Sequence, residues 1–196
     1  MLFRSMVKNI DDAIKQAEQI PLSGQDLKNI TNSKCNIMRY SDLMNYQDIE
    51  SVLGEWGAVI LLYQQSRDFG HYSCLFKSAN DPNNTLIFYD SLGITLDKEL
   101  KFSTFNTRNM GGTIVPHLTH LIQKSNYKVI SNTKKLQKDA FANNTCGRYS
   151  AMRIVWRALS NKEFNYILTS NHHYDADYWI SVLTIPHQQL LEMIVS

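Results

Sequence analysis

Cysteine is scarce in this chain. Only three occur, Cys35, Cys74 and Cys146. Their odd number, wide spacing and lack of a Cys-x-x-Cys pair argue against a disulfide framework and against a thiolate metal site, and fit a reducing compartment. An excess of charge of one sign is missing too. The 20 Lys and Arg nearly balance 18 Asp and Glu, a formal net charge of +2, too small by itself to argue for nucleic acid or a membrane surface. No apolar run reaches the ~18 residues of a bilayer-spanning helix, so no membrane association is expected. The start, Met1-Leu2-Phe3-Arg4-Ser5-Met6, turns polar too soon for a secretory signal. Internal repeats and low-complexity linkers are absent. What is present is a globular composition, with 43% hydrophobic and 19% charged residues, which excludes a disordered chain. A length of 196 residues suffices for one domain, 1–196, with a sizeable core.

The hydrophobic pattern predicts helices at both ends and strands between them. Val7, Ile10, Ala13, Ile14 and Ala17 fall on one face of a helix over 7–20. Residues 21–40 read as loop with a turn of helix near Asp26, and 41–53 as a short helix capped by Ser41 or Asp42. Ala58 to Tyr63 is a continuous apolar run, as in a strand buried on both faces. Tyr72 to Phe76 and Thr85 to Tyr89 are two further strands, separated by the turn signal Asp81-Pro82-Asn83-Asn84, and together form a hairpin. Residues 103–113, including Gly111-Gly112, read as loop. His117 to Gln123 reads as helix after Pro116, Tyr127 to Ile130 as a fourth strand, and about 145–160, Ala176 to Leu183 and His187 to Val195 as helices. Clustered strands flanked by helices make an α+β class.

The segment Asn144-Thr145-Cys146-Gly147-Arg148-Tyr149-Ser150 carries the chemistry. Asn144 or Thr145 can serve as an N-cap, with Ala151, Ile154, Val155, Ala158 and Leu159 at helical spacing behind it. Cys146 then sits in the first turn, where free N–H groups and the helix dipole favour a thiolate. A nucleophilic cysteine needs a histidine base and a group to orient it. His71 opens one strand of the hairpin and Asp90 leaves the other, so antiparallel pairing puts them at the same edge of the sheet. Backbone N–H groups at the helix start, and Gln137 nine residues before Cys146, are the oxyanion donors in this reading. Cys74 reads as core packing.

The order His71-Tyr72, then Phe88-Tyr89-Asp90-Ser91-Leu92-Gly93, then Leu136-Gln137, then Asn144-Thr145-Cys146-Gly147, resembles the adenain-like cysteine proteases. That superfamily joins the adenovirus maturation protease with the proteases of ubiquitin-like proteins. The resemblance covers about residues 57–160. It implies a permuted papain-like fold: a small mixed or antiparallel sheet flanked by helices, with the nucleophile at the N-terminus of a central helix. It also implies His71 as general base, Asp90 as its orienter, Cys146 as nucleophile and Gln137 as oxyanion donor. Tyr72 stands where the family usually has Trp and, with Gly147, would narrow the channel for small substrate residues. The family's spacing from Gln to Cys is shorter, which places a short insertion in Lys138 to Asn144. Neither Cys35 nor Cys74 matches the cysteine by which the adenovirus protease holds its activating peptide.

By overall look the chain is most similar to the capsid-maturation proteases of adenovirus-, virophage- and large-DNA-virus-type viruses. The expected activity is cleavage of viral capsid or scaffold precursors at Gly-containing sites during virion maturation. The expected setting is the virion and the host-cell interior, without cofactor or metal, and with DNA or an activating peptide as further partners to test. The competing functions are an isopeptidase on ubiquitin-like proteins, a Cys-His-Asp acyltransferase, and a non-enzymatic capsid-associated module. Three weaker patterns have ordinary readings. His172-His173 with Asp175 and Asp177 fits no zinc spacing and reads as a polar loop. Lys134, Lys135, Lys138, Arg148, Arg153 and Arg157 read as solvated charge around the site. Gly111-Gly112 reads as a flexible loop, although it resembles the family's cleavage sites.

Overall fold

In the computed structural model, residues 2–65, 70–102, 115–139 and 143–186 are described, with side chains from residue 9 onward except at 102. Gly111-Gly112 and the helix expected over His187 to Val195 lie outside the described residues.

A five-stranded mixed sheet forms the middle layer, in the order β1 (Asn36–Arg39), β2 (Ala58–Gln64), β3 (Gly70–Lys77), β4 (Thr85–Tyr89) and β5 (Lys128–Ser131). The two outer pairs, β1 with β2 and β4 with β5, are parallel. The central pairs β2–β3 and β3–β4 are antiparallel, with Cys74 opposite Tyr89 and Lys77 opposite Leu86. This is the expected hairpin. Alternation along the strands divides the core into two. Ala58, Ile60, Cys74, Phe76, Ile87 and Tyr89 face one side, and Val59, Leu61, Tyr63, Leu75, Leu86 and Phe88 face the other. Each large apolar side chain buried in this way stabilises the fold by about 1.5–3 kcal/mol.

The helices are α1 (Leu2–Gln19), α2 (Gly24–Ile30), α3 (Ile49–Leu53), α4 (His117–Gln123), α5 (Cys146–Val155), α6 (Asn161–Thr169) and α7 (Ala176–Thr184), with 3-10 turns at Tyr40–Asn45 and Lys98–Phe102. α5 packs on β3, and α2 and α7 pack on α5. On the opposite face, Leu43, Ile49, Val52, Leu53, Leu118 and Leu121 cover the sheet.

Several elements depart from expectation. β1 arises inside the segment read as loop, because four residues on a sheet edge carry no alternating pattern. The single helix expected over 41–53 is a 3-10 turn followed by α3, whose N-cap is Asp48, with its side chain accepting from the Ser51 N–H at 2.8 Å. α6 was not expected, although Ser160 and Glu163 form a capping box that marks its start. α5 ends at Val155, which is 47% exposed, so Ala158 and Leu159 do not extend its buried face. Arg148 and Arg153, expected among solvated charges, are 2% and 0% exposed. Arg148 donates to Thr184 Oγ1 and to the Ala17 carbonyl. Arg153 donates to Asn161 and to the carbonyls of Trp156 and Leu159, with its guanidinium 4.8 Å from the Phe76 ring centroid. Paired this way, both arginines belong to the interior and are not solvated charge.

Candidate active site

The site forms where one end of the central hairpin meets the start of α5. His71 lies opposite Tyr63 of β2, one residue into β3. The pairing of Cys74 with Tyr89 carries one step further to set Asp90 across from Ser73, so Asp90 and His71 are diagonal neighbours on one face. The diagonal is bridged by a hydrogen bond, His71 Nε2 to Asp90 Oδ2 at 2.8 Å, with His71 5% and Asp90 0% exposed. The other carboxylate oxygen of Asp90 accepts from the Leu92 N–H at 2.8 Å and the Ile94 N–H at 3.4 Å. Asn132 donates to the Asp90 carbonyl at 2.8 Å. With these contacts the carboxylate has one orientation, and Nε2 is committed to it.

The remaining ring nitrogen of His71, Nδ1, is the one left for Cys146, whose side chain is close enough to interact electrostatically with the ring. Burial by itself would drive the proton off His71. The hydrogen bond with Asp90 and the neighbouring Cys146 outweigh it and push the imidazole's pKa well above the ordinary histidine range. Cys146 is the first residue of α5 and is 9% exposed. Thr145 occupies the N-cap position, but its side chain makes no cap hydrogen bond. Its hydroxyl turns away to Asp177, so the expected side-chain cap is absent, and cap donors of the first turn stay open for an incoming oxyanion.

Tyr72 and Gly147 come together as expected. Tyr72 is half-buried, and its phenol is pushed up by burial and by the neighbouring Cys146. A Cβ at Gly147 would stand 3.3 Å from the Tyr72 ring and 3.3 Å from Leu27. A side chain there would push the Tyr72 ring or Leu27 back by a few tenths of an ångström.

Gln137 is buried and anchored at both ends. Its Oε1 accepts from the Ser91 hydroxyl at 2.6 Å, and its Nε2 donates to the Asn143 carbonyl at 3.3 Å. The backbone N–H groups of Leu136 and Gln137 both donate to the Ser91 carbonyl. Gly93, at φ +70°, lets the Asp90 turn approach so closely that a Cβ there would stand 2.7 Å from the Thr133 carbonyl oxygen. The turn that carries Asp90 therefore also carries Gln137.

Three further residues at the site were not expected. Asp177, fully buried, receives the Thr145 hydroxyl at 2.6 Å and the Lys138 N–H at 3.0 Å. Burial raises its carboxyl above the usual range against these hydrogen bonds. Asn143 accepts from the Thr145 N–H at 3.2 Å. Glu99 lies buried beside His71 and Asp90. No sequence signal marks Asp177 or Glu99, since both come from segments distant from the hairpin. The pattern around His172-His173 dissolves. Asp177 turns inward, Asp175 pairs with Lys138, and among the described residues the pair of histidines joins no ligand cluster. Cys74 is fully buried in the core. Among the described residues, no helix is long and apolar enough to cross a membrane.

The sequence matches no family model. It is 31% identical over 175 residues to a protein of Sputnik virophage named uncharacterized protein V9, and the match covers 88% of this chain and 98% of the virophage protein. The chain belongs to the same family as that virophage protein.

Proposed function

We propose that the protein is a cysteine endopeptidase of the adenain-like, papain-related type. The observation that carries this reading is the buried series Cys146, His71 and Asp90, in which His71 is hydrogen-bonded to Asp90 at 2.8 Å and lies beside a helix-start cysteine, both of which favour its imidazolium. A structural cysteine has no need of an imidazolium fixed by a buried carboxylate.

Cys146 Sγ attacks the scissile carbonyl carbon and the carbonyl electron pair moves to oxygen. The oxyanion is met by N–H groups of the α5 start and by Gln137. His71 gives its proton to the leaving amine as the C–N bond breaks, leaving a thioester. Water then attacks that thioester with His71 as base, the acid product leaves, and the thiolate–imidazolium pair is restored. Asp90 holds the ring throughout. The Tyr72 ring lies close to Gly147 beside Cys146, a placement that supports a narrow approach and a small residue such as Gly at the cleavage site.

The substrates we infer are capsid or scaffold precursors of a virus; the virophage relative supports the viral setting. Co-expression with such a precursor tests this: the wild-type chain should cleave it and Cys146→Ala should not. Cleavage retained in Cys146→Ala would refute the mechanism. Labelling of Cys146 by a ubiquitin-like vinyl-sulfone probe would move the substrate to ubiquitin-like proteins.

A further inference from the structure

Behind the His71–Asp90 pair lies a buried carboxylate that no described residue satisfies. Glu99, from the 3-10 turn Lys98–Phe102, is 3% exposed, and among the described residues neither of its oxygens has a hydrogen-bond partner. An unpaired carboxyl in the interior costs several kcal/mol. It also has a direction: one ligand atom each from His71, Asp90 and Glu99 all lie within 4.8 Å of one another. Tyr63, across the register from His71, has a buried hydroxyl that is likewise without a partner among the described residues, and it feels the charges of Asp97, Asp90 and Glu99.

We infer that His71, Asp90 and Glu99 form a binding site for a divalent transition ion of the zinc class. One imidazole and two carboxylates are a donor set that zinc accepts, and the two negative charges balance the ion. Bonds of about 2.0–2.2 Å put tetrahedral ligand atoms about 3.4 Å apart, so binding requires the 2.8 Å His71–Asp90 contact to open slightly and the Glu99 side chain to turn toward the pair. Asp90 would contribute Oδ2, since Oδ1 is held by the Leu92 and Ile94 N–H groups. The ion takes the place of the proton between His71 Nε2 and Asp90, and that proton leaves to solvent. Nδ1 keeps its place toward Cys146. With Nε2 bound to metal, the ring no longer exchanges protons as the peptidase cycle requires, so the ion acts as an off-switch. The off-switch rests on the peptidase reading, whereas the binding itself does not.

The test uses the full-length Cys146→Ala protein, in which no thiol is left at the site. Zn2+ titrated by calorimetry should bind at one equivalent, and Co2+ should give visible d–d bands without sulfur charge transfer. Adding Glu99→Gln, which keeps the shape of the side chain, should weaken Zn2+ binding at least about tenfold while the melting profile stays cooperative. The wild-type protein should lose cleavage activity with added Zn2+ and recover it with chelator. No saturable Zn2+ binding to Cys146→Ala, or equal binding with and without Glu99→Gln, would overturn the site. Binding in Cys146→Ala together with an inactive wild-type protein would leave the metal site standing and sink the peptidase reading instead.

Discussion

Thr145 and Asp177 meet through a 2.6 Å hydrogen bond, Oγ1 to Oδ1, one residue before Cys146. The other oxygen of the same carboxylate accepts from the Lys138 N–H, one residue after Gln137. Asp177 thus holds the segment between Gln137 and Cys146 at both of its ends. The longer spacing from Gln137 to Cys146 is accommodated by this closure, because the two ends are held from α7 whatever the length between them.

Removing the closure should misplace Cys146 without touching substrate. Asp177→Ala is expected to lower kcat on the order of 100-fold, the scale of a displacement of about 1 Å in a catalytic group, with KM little changed. Asp177→Asn keeps an acceptor for Thr145 but presents an amide to the Lys138 N–H, so it should fall between. Steady-state kinetics on a peptide substrate separates these; an unchanged kcat in Asp177→Ala would remove the positioning role.

Gln137 and Ser91 should differ in degree. On the proposed mechanism Gln137→Ala removes an oxyanion donor and should reduce kcat about 100-fold or more. Ser91→Ala leaves the amide in place but frees its Oε1, with an expected loss of about 5- to 10-fold, the worth of one neutral hydrogen bond. Equal activity of Gln137→Ala and wild type would assign the oxyanion to backbone N–H groups alone.

Glu18 gives the fold a pH dependence. Burial first, and then Asp175 and Asp177, push its carboxyl up to about 7 from 4.5, against the pull of Lys138 and Lys15. A carboxyl that holds its proton more tightly when folded adds stability below its unfolded value, and that stability is lost as pH rises through the folded value. Glu18→Gln should therefore flatten the melting temperature between about pH 4.5 and 7 and raise it above wild type at pH 8. Scanning calorimetry across that range is the measurement, and an unaltered slope would count against the coupling.

Arg153 should be among the costliest residues to replace. Its guanidinium holds the Trp156 and Leu159 carbonyls at the end of α5 and stacks among Phe76, Tyr89 and Phe164. Arg153→Ala would leave those acceptors buried and a cavity between the rings, an expected loss of about 3 kcal/mol or more. Urea denaturation checks this.

The catalytic elements were legible where local pattern and pairing coincide. Thr85–Tyr89 is an apolar run after a turn signal, and antiparallel pairing alone dictates that Asp90 leaves beside the start of the strand bearing His71. Arg148 and Arg153 were misread because an arginine at helical spacing looks solvated until carbonyls and rings are known to surround it. β1 was missed because an edge strand of four residues has too few positions to show a period.

What the sequence determined by itself is therefore the hairpin, the helix start at Cys146 and the relation of His71 to Asp90, since each follows from residues near one another in the chain or paired by a single turn. What only the tertiary structure decided is how the site is held. Asp177 reaches Thr145 from 32 positions away, Glu99 comes to His71 from a separate turn, and Ser91 meets Gln137 across 46 residues. Contacts between distant segments leave no periodicity in the chain, and the burial that shifts their charges exists only once the layers have closed.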